Sequence, residues 1–402
     1  MISRITLQCK TCSGAITARV QVGHEEDQLV SSVCPHCFTP FRIRLLLEQP
    51  PRVRVDCVEN CEHFAGEGVV LNIGSGFVLS KSKSRLDKYF PSFDAPRPTR
   101  EELLALAAAD EAEEGEDEGG GPRFIDITVA MGGLPRAKQV WRVAYNAYRL
   151  SRTGNAERAT DLLRQHSGLD GVSVKRALLA FIQRFLAPNG TSDLKRLTDE
   201  LSRSTNISQH EFNRLYKDFH PQWEDRMDQK LEVIDGFFRA YDEFNQALVY
   251  ARRGIDLPED PYAPSTDFEH TRMYYGEAFE VLGSHVDILA AFNNILSSRA
   301  YDQLELVPLA KYRTCDKGIR NRTLLNNPEL AWMVAEYENK LRNASHHRWL
   351  RLSTDRSELS FREGGSGQLV RLSYAEYLLR CCQITRQLML LAAVEWLVLA
   401  DD

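Results

Sequence analysis

The chain has 402 residues, 43% of them hydrophobic, with 50 Lys and Arg against 56 Asp and Glu for a formal charge of -6. That length and apolar content suffice for two or three domains with buried cores. The start, Met1-Ile2-Ser3-Arg4-Ile5-Thr6, lacks the apolar stretch of a signal peptide. The longest apolar run, Leu388 to Ala400, carries Glu395 and is too short for a membrane span, so no membrane partner is expected.

Cys9-Lys10-Thr11-Cys12 and Cys34-Pro35-His36-Cys37 form two C-x-x-C knuckles separated by 21 residues. This spacing predicts a structural zinc ion (Zn2+) held by four thiolates, with disulfide pairing as the alternative. Ile16 to Val22 and Phe41 to Leu45 alternate as strands, and Gly14 and Gly23 punctuate the turns, so the flanks read as a small β zinc ribbon. Four thiolates leave no open position for activated water, and a module of this size needs the metal's folding energy. Thiols at zinc spacing without an export signal point to a reducing, cytoplasmic location. Residues 1–64 carry seven Lys or Arg and seven Asp or Glu, so charge does not choose the ribbon's partner. A stripe of Arg42, Arg44, Arg52 and Arg54 could touch phosphates, and a protein partner is equally open. Cys57, Cys61 and His63 form a weaker cluster whose x3 spacing fits a helical turn as readily as a knuckle. No fourth ligand accompanies it, and buried or free thiols are the preferred reading. Cys315 is isolated, while Cys381 and Cys382 fall on an apolar helix as core residues.

Gly68 to Ser80, with the run Val69 to Ile73, adds a strand or two to a first domain spanning 1–98. Gly74-Ser75-Gly76 lacks the later glycine and Lys-Ser/Thr of a phosphate loop. Residues 99–122 read as an acidic, Gly-rich linker, because Asp110, Glu111, Glu113, Glu114, Glu116, Asp117 and Glu118 precede Gly119-Gly120-Gly121-Pro122. Removing those seven acids leaves 49 against 50 bases, so the remainder is near neutral. The block serves spacing and solvation, or alternatively mimics RNA over a basic cleft.

Beyond the linker the period is helical, giving a helical domain at 123–267. Met227, Leu231, Ile234, Phe238, Tyr241, Leu248 and Ala251 predict one long helix ended by Arg252-Arg253-Gly254, and Leu257 to Thr266 is a loop. The last domain, 268–402, begins with a second long helix from Phe268 to Ser297, with Ala278, Leu282, Val286, Leu289, Phe292 and Ile295 inside. A third starts at Asn327-Pro328 and places Leu330, Met333, Val334, Tyr337 and Leu341 on one face, leaving Arg342, Asn343, His346 and His347 on the other. Trp349 to Leu352 and Leu359 to Arg362 then read as short strands. Gly364 to Gly367 turn into Gln368 to Leu372, and Ser373 with Glu376 forms a capping box for a final helix.

Arg342, Asn343 and His347 resemble the Arg-Asn-x3-His signature of the HEPN superfamily, helical domains that include ribonucleases of phage-defence and toxin systems. His346 occupies a slot that the family usually gives to a small residue. Arg19 and His24 also satisfy the bare Arg-x4-His spacing, so the helical context carries the resemblance, over 268–402. It implies a mostly α chain whose C-terminal part is a HEPN-like bundle with a small β-hairpin. It also implies a homodimer whose motifs share a cleft, and metal-independent RNA cleavage by 2′-OH attack. In that chemistry His347 or His346 moves protons, Arg342 stabilises phosphate charge and Asn343 orients its neighbours. Arg348, Arg351 and Arg362, with Arg356 and Arg371, would follow the RNA backbone. Polar residues opposite an apolar helix face are also what a solvated surface looks like. A non-catalytic interaction protein and a zinc-ribbon DNA-binding regulator therefore remain alternatives.

Overall fold

The computed structural model describes residues 2–23, 27–48, 52–74, 76–91, 95–96, 99–100, 134, 136–167, 173–305 and 307–400. The acidic block at 110–118, the greater part of the expected linker and His24 lie outside them. Among the described residues the strands β1 (Ile2–Cys9), β2 (Ala15–Gln21), β3 (Asp27–Val33), β4 (Pro40–Leu47), β5 (Val53–Glu59), β6 (Cys61–His63), β7 (Val69–Ile73) and β8 (Leu79–Ser80) come first. Helices α1 (Ala137–Arg152), α2 (Ala156–Ser167), α3 (Val174–Phe185), α4 (Gly190–Ile207), α5 (Gln209–Phe219), α6 (Trp223–Arg239) and α7 (Tyr241–Arg253) follow. After β9 (Pro261–Tyr262) come α8 (Tyr274–His285), α9 (Asp287–Leu296), α10 (Asn339–His346), β10 (Arg351–Leu352), β11 (Glu358–Arg362), β12 (Leu369–Ser373) and α11 (Tyr374–Leu399). The chain is thus helical towards its C-terminus with small β-sheets at its N-terminus.

The three long helices expected from periodicity are each broken. The apolar faces are right: Met227, Leu231, Ile234, Phe238, Leu248 and Ala251 are buried, as are Leu282, Val286, Leu289, Phe292 and Ile295. The breaks fall where polar residues turn inward. At Ala240 (φ -102, ψ 22) the first helix stops, and α7 restarts with Asp242 and Glu243 in its first turn, where carboxylates complement the helix dipole. Gly254 does end it, at φ 64. The second helix breaks around Arg272-Met273 and again at Val286, just before buried Asp287. The third is capped by Asn327 as expected but leaves the helical path after Val334. There Glu336 is buried against the Tyr275 hydroxyl at 2.8 Å, and the Tyr337 hydroxyl donates to Lys317 O at 2.5 Å. Glu338 then caps α10 anew.

Contacts group the chain into two compact units, each discontinuous in sequence. The first is Met1–Arg136, Ala240–Arg272 and Trp349–Cys382; the second is Ala137–Arg239, Met273–Arg348 and Gln383–Asp402. These outlines cut across the expected succession of segments, because Ala240–Arg272 and Trp349–Cys382 belong with the N-terminal strands.

In the first unit, β6-β1-β2-β7 form one sheet and β3-β4-β5 another. Leu7, Ile16, Ala18, Val20, Val30, Phe41, Ile43, Leu45 and Leu71 share one core across both. Two sheets contribute to that core, so a metal would not be the module's sole source of folding energy. The expected β-hairpin near the C-terminus is a three-stranded antiparallel sheet, β10-β11-β12. The Ser373–Glu376 capping box is present, with Glu376 N–H donating to Ser373 Oγ at 3.1 Å and Ser373 N–H to Glu376 Oε2 at 2.7 Å. Buried Glu243 accepts hydrogen bonds from Thr266 N–H at 2.9 Å and the Tyr374 hydroxyl at 2.7 Å, tying α7 to the loop after β9 and to the start of α11.

In the second unit, Trp141 stacks on Phe238 at 4.9 Å between ring centroids. A buried ion network lies among α6, α9 and the end of α11. Glu395, fully buried, accepts from Arg226 at 2.6 Å and from Lys230 at 2.7 Å, and Arg226 also reaches Asp287 at 3.0 Å. Burial pulls the Lys230 amine down to about 8, with Glu395 opposing. Helix α11 is long and apolar enough to cross a membrane by length and composition, yet 78% of its apolar window is buried within the protein.

Candidate metal centre and the Arg342–His347 segment

The two knuckles are built alike. In the first, Ser13 N–H donates to Cys9 O and Cys9 N–H to Gly14 O, at 2.8 and 3.0 Å; in the second, Phe38 N–H donates to Cys34 O and Cys34 N–H to Thr39 O, both at 2.9 Å. Ser13 and Phe38, each following the knuckle's second cysteine, both sit at φ 59, a conformation costly for a bulky side chain. The turns aim the four thiols at one point. Gly14 is required there, since a Cβ would lie 2.4 Å from the His36 ring, whose Nε2 is 3.1 Å from Ala15 O.

The Sγ atoms of Cys9, Cys12, Cys34 and Cys37 all lie within 4.8 Å of one another. Cys9 and Cys37 are 3.8 Å apart, and Cys12 and Cys34 3.7 Å. A tetrahedron with metal–sulfur bonds of about 2.3 Å has edges of about 3.8 Å, so the donor set fits a tetrahedral, thiolate-preferring ion. The disulfide alternative is not what the structure shows, because all nine cysteines are free. Burial pushes the Cys34 thiol up to about 12, whereas at Cys37 hydrogen bonds with Thr39 outweigh burial and the value falls to about 6. A bound dication favours the thiolate form of all four.

Cys57 and Cys61 sit on β5 and β6, not on a helical turn. Burial raises both thiols, Cys61 to about 12, and among the described residues they join no group of metal-ligand type. Three of the four arginines in the expected stripe have carboxylate neighbours: Arg44 pairs with Asp27 at 2.6 Å, Arg42 with Glu59 at 3.5 Å and Arg54 with Asp56 at 3.4 Å. Arg52 is exposed, and among the described residues no carboxylate pairs with it.

The Arg342–His347 segment occupies α10 and the residue after it, in the second unit. Helix α10 crosses the start of α8 closely. Gly276 N–H donates to Ser345 Oγ at 3.1 Å, and a Cβ on Gly276 would lie 2.9 Å from His346 N. Leu341, Ala344 and Ser345 are buried, whereas His346, His347 and Arg348 are exposed. Arg342 and Asn343 are half-buried, so the expectation that the core claims none of the four polar residues fails for these two. The reason is Glu280 on α8. It forms an ion pair with Arg342, and it accepts from Lys317 at 2.7 Å. Arg342 Nη1 donates to Asn343 Oδ1 at 2.7 Å, and its guanidinium lies 5.8 Å from the Phe279 ring centroid. Burial pushes the Glu280 carboxyl up, but hydrogen bonds from Lys317 and Arg342 outweigh it and hold it below the usual carboxylate range. Two cations around one carboxylate leave a surplus positive charge. Burial raises Glu277, one turn earlier on α8, against the opposing charge of nearby His346.

The two histidine rings are 5.4 Å apart at their centroids and near perpendicular. His347 N–H donates to Asn343 O, one helical turn back, at 3.0 Å. Arg348, at φ 57, has its Nε 3.1 Å from Met273 Sδ. Arg351 and Arg362 lie in the first unit and are exposed. Arg356 is committed structurally, its Nε donating to Ser265 O at 2.6 Å. Glu277, Glu280 and Lys317 were missed in the sequence, and no local pattern links them to α10. No family model, curated protein or solved structure matches the chain.

Proposed function

We propose that the protein is a metal-independent endoribonuclease acting at Arg342, Asn343 and His347, with His346 beside them. In this reading the second unit is a HEPN-like helical bundle that works as a homodimer, of the kind found in phage-defence or toxin systems, and the N-terminal module is a zinc ribbon for targeting or sensing. The observation that carries it is the arrangement at α10. A guanidinium and an amide are held together at 2.7 Å, and the two histidines beside them stay exposed.

The ribose 2′-OH attacks the adjacent phosphorus and the 5′-oxygen leaves, giving a 2′,3′-cyclic phosphate. One histidine takes the hydroxyl proton, and a second acid, from the neighbouring residue or the dimer partner, protonates the leaving oxygen. Arg342 meets the charge gathering on the phosphate oxygens. To do so it exchanges a hydrogen bond to Glu280, and Lys317 remains to balance that carboxylate. Zinc, where bound to Cys9, Cys12, Cys34 and Cys37, supplies structural rigidity only, since four protein ligands leave no open position.

The Arg342–Glu280 pair also favours a second reading, in which Arg342 only docks α10 on α8 and the protein is a non-catalytic interaction module. Labelled RNA decides between them. Under moderate EDTA the wild-type protein should cut it, while the Arg342→Ala/His347→Ala variant should not. RNA left intact by wild type supports the second reading.

A further inference from the structure

Register in the C-terminal sheet puts three arginines on one side. Arg351 lies opposite Ser360, and Ser360 opposite Arg371, so the two arginines flank β11 on the same face, about 10 Å apart at a strand spacing of about 4.8 Å. Arg362 stands two residues from Ser360 and therefore on that face as well. The other side carries Leu352, Leu359, Phe361 and Leu372, of which Leu359 and Phe361 are buried. The core thus fixes which way the arginines point, and all three are exposed.

Their charge is not spent locally. Among the described residues no carboxylate pairs with Arg351 or Arg371, and Arg362 donates to a backbone carbonyl, Gly367 O, at 3.1 Å. The acid on this face, Glu358, is 3.8 Å from the Lys81 ammonium. The β3-β4-β5 sheet differs, since its strand arginines Arg42, Arg44 and Arg54 each have a carboxylate partner. A row of uncompensated arginines on a rigid sheet resembles a solubilising surface less than a polyanion site, because interspersed acids would solubilise at lower electrostatic cost.

We propose that the solvent face of β10-β11-β12 binds the phosphate backbone of single-stranded RNA through Arg351, Arg362 and Arg371. The choice of RNA among polyanions rests on the ribonuclease reading. The choice of a single strand follows from the chemistry, since in-line 2′-OH attack needs a backbone freed from regular A-form geometry. Guanidinium forks suit phosphate oxygens, and such contacts position a strand without reading its sequence.

The test uses the full chain and a fluorescent 2′-O-methyl oligouridylate, which lacks the nucleophile and so reports binding apart from cleavage. Each single-strand phosphate contact contributes about 0.7 to the slope of log affinity against log salt. Three contacts therefore predict that wild-type affinity falls roughly twentyfold more than that of Arg351→Gln/Arg362→Gln/Arg371→Gln between 50 and 200 mM salt. The Arg44→Gln protein should match wild type. Equal affinity and salt slope in wild type and the triple variant overturn the proposal. So does wild-type protein that binds phosphatidylserine vesicles or an acidic peptide but not the oligonucleotide. Arginine-dependent binding by a wild type that cleaves no RNA supports the RNA face and overturns the ribonuclease reading alone.

Discussion

Arg342 has two demands on it, and a substitution must be read against both. Its guanidinium neutralises half-buried Glu280 and holds Asn343, so Arg342→Ala removes the fork proposed to meet phosphate and also leaves Glu280 with Lys317 alone. His347 is exposed, and His347→Ala changes chemistry with less effect on packing. Both variants are expected to lower RNA cleavage by ~10² to 10⁴, the scale of a lost acid–base or charge-stabilising group. Only Arg342→Ala should also lower the thermal midpoint measured by circular dichroism. His346→Ala separates the two rings. A mild loss assigns proton transfer to His347, whereas a loss equal to that of His347→Ala implicates both.

The cysteine knuckles were legible because a C-x-x-C turn is local: four residues and a left-handed fifth position aim two thiols regardless of what lies beyond. Metal analysis is expected to find one zinc per chain in the wild-type protein and none in Cys34→Ser, with unfolding in the variant confined to the knuckles because the shared sheet core persists. The helices show where such reading stops. Periodicity gave the buried faces of α6 to α9 but not the breaks, because Glu336, Asp287 and Glu243 turn inward to partners far away in sequence. The same holds for the candidate site. Arg342, Asn343, His346 and His347 lie in one string, while Glu280 is 62 residues away and invisible to any window. Glu395 was visible only as a flaw in an apolar run, and the structure makes it the shared anion of Arg226 and Lys230. Glu395→Gln leaves two buried cations with Asp287 alone. It should cost about 3 to 5 kcal/mol in urea-induced unfolding, the scale for breaking a buried ion pair from one side.

At the scale of the whole molecule, one copy of α10 offers two histidines and an already engaged arginine, and the shared-cleft reading asks a second copy to complete the set. Light scattering is expected to give a two-fold homodimer with and without RNA, and a strict monomer under both conditions would remove the shared cleft. The interleaving of the units bears on how variants are made, because Trp349–Cys382 belongs with the N-terminal strands and α11 contributes to both units. The full chain is therefore the right material for assays. The most direct measurement of the central claim is mass spectrometry of RNA ends after incubation with the purified full chain under moderate EDTA. The expected products carry 2′,3′-cyclic phosphate and 5′-hydroxyl ends and are absent with Arg342→Ala/His347→Ala. Intact RNA with the wild-type protein, or the same ends at undiminished yield with the double variant, would contradict it.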